Sequence, residues 1–89
     1  MTYDKIPPEM IKPSIDELIK HIDYAFGKHG NQSYASAHEG YGVTAEEMAE
    51  LLDAIRANNS NEIGKEALDV AVSAFWLYVS AKYGRMNER

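Results

Sequence analysis

Residues 46–79 read EEMAELLDAIRANNSNEIGKEALDVAVSAFWLYV, and this stretch decides the fold. Met48, Leu51, Leu52 and Ile55 recur at three- and four-residue intervals, the spacing of one helix face. Asn58, Asn59, Ser60 and Asn61 follow as a polar run that stops the helix in a turn. A further helix is expected from about Asn61 to Tyr83, closed by Gly84. Between Ala67 and Ala81 only Asp69 is charged, and Val70, Val72, Phe75, Trp76, Leu77, Tyr78 and Val79 leave no polar side wide enough for solvent. A helix apolar nearly all round is a buried one. One short chain cannot wrap it on every side, so the pattern predicts a homo-oligomer, and an isologous dimer is the commonest form.

Upstream, the helix that holds Glu46 to Ala57 has two candidate starts. Thr44 and Glu47 stand at capping-box spacing, whereas Ala35, His38, Tyr41 and Ala45 keep a helical interval that takes the start back to Ser33. The longer version is the one expected here, although Gly40 and Gly42 would each cost about 1 kcal/mol relative to Ala. A first helix is read from about Ser14 to Phe26. Ser14 and Glu17 have capping-box spacing, Ile15, Leu18, Ile19, Ile22 and Phe26 make an apolar stripe, and Gly27 and Gly30 end it. Pro7, Pro8 and Pro13 forbid a continuous helix before that. The organisation expected is an arm at 1–13 that places Tyr3, Ile6, Met10 and Ile11 on a partner surface, one all-α domain at 14–84 and a tail at 85–89. The protomer has three helices, the second and third antiparallel.

Eighty-nine residues suit a single domain, near the size at which a core alone barely suffices. There is no cysteine, so neither a disulfide nor a thiolate site is available. Nine basic residues against fourteen acidic ones give a formal charge of −5, which argues against binding a nucleic-acid polymer. Residues 1–13 hold no apolar run of signal-peptide length, and no stretch approaches the roughly 20 apolar residues of a membrane span. A cytoplasmic protein with no membrane partner is expected.

The chemistry lies in the acids. Glu46, Glu50 and Asp53 fall within about 60° of each other on the second helix. Glu47 lies beyond Glu50, at the border of the apolar stripe, and no Lys stands at i+4 from Glu46, Glu47 or Glu50 to offset the charge. On the third helix Glu66 and Asp69 share a face, with Asp69 inside the least polar segment. A carboxylate there is costly unless paired or metal-bound. The plainer readings are a solvated acidic face and an ion pair from Asp69 to Lys20, Lys65 or Arg56. Antiparallel packing would bring Glu47 and Glu50 alongside Glu66 and Asp69. Four converging carboxylates do not all stay ionised without cations. Oxygen ligands select Mg²⁺ or Mn²⁺, which leave positions open for phosphate oxygens.

EEMAE (Glu46 to Glu50) followed by EALD (Glu66 to Asp69) resembles the EExxE…ExxD signature of the MazG-like, all-α NTP pyrophosphohydrolase superfamily. The preceding HEGYGVTAEEMAEL resembles a branch of small phage and bacterial proteins with an H-E-G-Y segment before the acidic motif. The resemblance covers roughly residues 33–80. It implies a four-helix-bundle-like assembly built from dimers or tetramers and Mg²⁺-dependent cleavage of a nucleoside triphosphate to the monophosphate and pyrophosphate. Glu47, Glu50, Glu66 and Asp69 would then be the metal ligands, Glu46 an outer carboxylate, and Glu46 or Glu50 the base that positions water. Two features depart from the pattern. Val43 and Thr44 stand where many members carry a Lys, and the basic C-terminal segment is reduced to Lys82 and Arg85.

Around the acids, Glu39, His38 and Tyr41 join Lys82 and Arg85 as candidate substrate contacts. His38 is more simply a helix-surface residue, and Trp76 and Tyr78 more simply core. His21, His29 and His38 do not form a ligand set by spacing. The shortage of basic residues also supports a second expectation, a catalytically silent helical dimer of the same fold that acts as an interaction or nucleotide-binding module.

Overall fold

The computed structural model describes residues 4–84 and 86. Those residues are all-helical: a 3₁₀ turn at Pro8–Met10, then α1 (Ile11–His29), α2 (Ala37–Arg56) and α3 (Ser60–Tyr83), with no strand among them. None of these helices is long and apolar enough to cross a membrane.

The hairpin of α2 and α3 is the body of the fold. Asn58 turns the chain with φ at 55°, a left-handed conformation that Asn adopts more readily than most residues. Asn59 then caps α3 by accepting a hydrogen bond from the Glu62 amide at 3.1 Å. So short a turn sends α3 back antiparallel to α2, as expected, with Gly40 beside Leu77 at one end and Glu47 beside Asp69 further along. The seam between them is lined with small or polar groups. Glu66, Ser73 and Ser80, seven residues apart, are the buried positions of α3, and Gly40 and Ala54 are those of α2. Seven residues are close to two helical turns, so the three lie in one line. The backbones come close enough that a Cβ on Gly40 would stand 2.6 Å from Leu77 Cδ1 and 2.8 Å from Tyr34 Cδ2.

α1 packs on α3 and stays clear of α2. Phe26 meets Trp76 edge to face with ring centroids 4.4 Å apart, and Trp76 Nε1 donates to the Gln32 carbonyl at 2.8 Å. The connection from α1 to α2 is tied to the end of α3, where the Tyr34 amide donates to Ser80 Oγ at 3.1 Å.

Three helix boundaries differ from the sequence expectation. α1 opens at Ile11, with Pro13 in its first turn, where a missing N–H costs nothing. Ser14 is inside the helix and donates back to the Met10 carbonyl at 2.7 Å, so it is not the cap. Gly27 is helical too, and Gly30, at φ 79°, is the residue that ends α1. α2 starts at neither expected residue. Ser36 caps it, accepting from the Glu39 amide at 3.1 Å, while Glu39 Oε1 accepts from the Ala35 amide at 2.9 Å. Thr44 is interior and donates to the Gly40 carbonyl at 2.8 Å.

Much apolar surface is left open. Ile11, Ile15 and Ile19 on α1, Met48, Leu52 and Ile55 on α2, and Phe75 and Tyr78 on α3 are all exposed, and Ala54 is the one buried apolar residue among those described. The accessible surface is 7200 Å². A compact 89-residue monomer would show about 5,200 Å². Ile6 and Met10 are exposed as well, and Tyr3 lies outside the described residues.

Candidate metal centre

Once Ser36 sets the start of α2, Glu47 falls on the side facing α3 and Glu46 on the solvent side. Glu47, Glu66 and Asp69 each bring one carboxylate oxygen to within 4.8 Å of the others. Glu66 is the deepest of the three, 9% exposed in the α2–α3 seam, whereas Asp69 sits part-buried beside it. The sequence expectation had Asp69 as the interior carboxylate. The line of Glu66, Ser73 and Ser80 is what faces α2, and Asp69 is rotated off it.

Glu47 Oε2 and Glu66 Oε2 are buried and have no hydrogen-bond partner. Burial pushes the Glu47 carboxyl above its ordinary range. The negative charges of Glu50, Asp69 and Glu66 push it the same way, as does a hydrogen bond shared with Glu50. An orphaned buried carboxylate oxygen costs on the order of 1–3 kcal/mol or more. Glu47, Glu66 and Asp69 together form an all-oxygen donor set that can hold a hard divalent cation.

A protein cation is nonetheless present. Lys65 Nζ lies 3.3 Å from Glu66 Oε1 and 3.8 Å from Asp69 Oδ2. This realises the ion pair weighed for Asp69 with Lys65 and extends it to Glu66. Lys65 is a flexible, mostly exposed side chain at the rim. Its charge is partly shared with solvent, although Glu66, its nearer partner, is buried. It leaves the two inner oxygens of Glu47 and Glu66 unpaired.

The remaining predicted residues divide. Glu50 is exposed and outside the three-oxygen group, its charge acting on Glu47, and it borders a smaller depression of about 320 Å³ together with Asp53, Glu62 and Glu66. Glu46 is on the exposed side of α2, away from that group. Glu39 lines the main cleft while capping α2. His38 and Tyr41 are exposed and do not line it. Lys82 stands over Tyr78 and Tyr83, 5.8 and 5.5 Å from their ring centroids. Arg85 lies outside the described residues.

That main cleft, about 920 Å³, opens between α1 and the hairpin, with Glu47 and Asp69 on one wall. Its other wall holds Lys20, His21, Lys28 and His29 of α1. In the sequence Lys20 is weighed only as an ion-pair partner of Asp69, and His21 and His29 only as metal ligands. They are not joined there with Lys28 into one wall, although Glu17, Lys20, His21, Tyr24 and Lys28 repeat at three- to four-residue intervals and so mark a second, polar face of the first helix. Tyr34 also lines the cleft. Burial raises its hydroxyl pKa, a hydrogen bond with Ser73 works against that, and the charges of Glu39 and Glu47 add to it. Compared with models of protein families, with curated proteins and with solved structures, the chain matches none.

Proposed function

We propose that this protein is a Mg²⁺-dependent nucleoside-triphosphate pyrophosphohydrolase of the MazG-like kind, acting in the cytoplasm as a homo-oligomer. The observation that carries the reading is the approach of one carboxylate oxygen each from Glu47, Glu66 and Asp69 to within 4.8 Å, where Glu47 and Glu66 each bury an oxygen that has no hydrogen-bond partner among the described residues. Glu47, Glu66 and Asp69 would hold Mg²⁺, with Glu50 beside Glu47 completing the set. Bound there, the ion supplies charge neutralisation for phosphate oxygens. Glu50 is also the better placed of the two candidate bases to orient a water, because its charge bears on Glu47 and that of Glu46 does not. Water adds to the α-phosphorus, the bond from that phosphorus to the bridging oxygen breaks, and the monophosphate and pyrophosphate leave. The open apolar faces and the roughly 2,000 Å² of surface beyond a compact monomer's are what a stable dimer buries.

The test is direct. Purified protein with Mg²⁺ and a panel of canonical and modified nucleoside triphosphates should release pyrophosphate, and Mg²⁺ or Mn²⁺ should raise the melting temperature. Absence of both effects removes the enzyme reading.

The ion pairs of Lys65 with Glu66 and Asp69 favour a second reading, in which the fold is kept but the site is silent and the protein binds a nucleotide or another protein. Metal or nucleotide binding without turnover separates this reading from the first.

A further inference from the structure

The sequence offered few bases near the acids, yet the fold supplies them from an unexpected direction. Lys20 and Lys28 of α1 line the cleft opposite Glu47 and Asp69, accompanied by His21 and His29. In a chain with nine Lys and Arg and three His, this places two lysines and two histidines on one wall. Lys20 has only a loose, exposed pair to Glu17 at 3.8 Å, and Lys28 has no carboxylate partner among the described residues. The end of the cleft is aromatic and held in place: Trp76 is fixed by its hydrogen bond to Gln32 and by the edge of Phe26. At about 920 Å³ the cleft lies in the upper range for small-molecule sites.

We infer that the α1 wall is a polyphosphate-binding surface, with Lys20 and Lys28 contacting phosphate oxygens and Trp76 receiving the base of a nucleoside triphosphate. The inference deepens the pyrophosphohydrolase reading and rests on it for the position of the metal. The physical reason is complementarity. A triphosphate bridging a cation at the acidic wall keeps several charged oxygens that the acidic wall repels. Lys65, the basic residue on that wall, is already paired with Glu66 and Asp69, whereas α1 offers Lys20 and Lys28. Lysine suits the task as a point charge on a flexible stem. Trp76 adds a rigid π-face, which stacks on any base.

Calorimetric titrations of the full chain test this with three ligands: Mn²⁺ alone, inorganic tripolyphosphate with and without Mg²⁺, and an α,β-methylene nucleoside triphosphate with Mg²⁺. The double variant Lys20→Ala, Lys28→Ala should bind both phosphates at least tenfold more weakly, with a shallower salt dependence, and bind Mn²⁺ within about twofold of the parent. Lys20→Arg, Lys28→Arg should restore most of the phosphate affinity, which a merely structural role for α1 would not predict. Trp76→Leu should weaken the nucleotide alone and so distinguish a nucleotide site from one for free polyphosphate. The inference is overturned if the double alanine variant holds tripolyphosphate as tightly as the parent, or if the parent binds Mn²⁺ but no phosphate ligand. If the parent binds no Mn²⁺, the metal reading falls. The Mg²⁺-free tripolyphosphate arm then still decides about α1: weakening in the alanine variant upholds it and no change overturns it.

Discussion

Glu47 on α2 and Glu66 on α3 each bury one carboxylate oxygen that has no hydrogen-bond partner among the described residues. Helix pairs ordinarily bury apolar groups, and this pair places two acids beside a third, Asp69. The arrangement lowers the stability of the chain on its own, and a cation bound there would relieve the same interactions.

Metal binding should therefore appear as stability. At a Mg²⁺ or Mn²⁺ concentration about 100 times the dissociation constant, the gain is about 2.7 kcal/mol. Glu66→Gln and Asp69→Asn should each abolish most of the metal-induced rise in melting temperature, read by circular dichroism with and without EDTA. An unchanged rise in both variants would refute the assignment of these ligands.

The pH dependence of the metal-free protein follows from Glu47. Its carboxyl is held above the ordinary value of 4.5, so the folded chain takes up this proton more readily than the unfolded one. The associated stability is fully present below that ordinary value and is lost as pH rises through the raised one. Glu47→Gln should thus melt a few degrees higher than the parent at neutral pH in EDTA and equal it near pH 4. With Mg²⁺ present the order should reverse, because the variant has lost a ligand. A variant less stable than the parent at neutral pH in EDTA would contradict the account.

Gly40 and Gly42 lie two residues apart on α2 and should respond in opposite directions to alanine. At Gly42 a Cβ meets nothing within 4 Å, so Gly42→Ala should stabilise by up to about 1 kcal/mol through helix propensity. At Gly40 the new methyl collides with the Tyr34 ring and Leu77, and overpacking of about 1–3 kcal/mol outweighs the propensity gain. Urea denaturation of the two variants checks this, and equal stabilities would show that the helices can part without cost.

Oligomerisation should depend on the open stripe of α2. Sedimentation equilibrium is expected to show a dimer or larger species at micromolar concentration, and Leu52→Glu or Ile55→Glu to raise the dissociation constant at least tenfold by placing a charge in an apolar interface. A parent chain that is monomeric at tens of micromolar would leave Met48, Leu52 and Ile55 without the proposed partner.

Part of this molecule was legible in one dimension. The stripe Met48, Leu51, Leu52, Ile55, the asparagine turn and the Glu66–Asp69 interval depend on local periodicity, and the α2–α3 hairpin with Glu47, Glu66 and Asp69 together follows from them. Helix starts were less legible. Ser14, Thr44 and Ser36 all have an acid three residues on, and only Ser36 caps a helix, because Tyr34 is tied to Ser80 and sets where α2 can begin.

The amino-acid order by itself determined that the chain is helical, which helices are neighbours and that acids from two of them share a side. It did so because helix period and turn chemistry act over a few residues. Which oxygens go unpaired, and that Lys20 and Lys28 share a cleft with Glu47, were decided by tertiary structure. Those depend on the rotation of α3 about its axis and on the placing of α1 against it, both set by the close approach at Gly40 and the Phe26–Trp76 contact. No interval along the chain records such distances between groups dozens of residues apart.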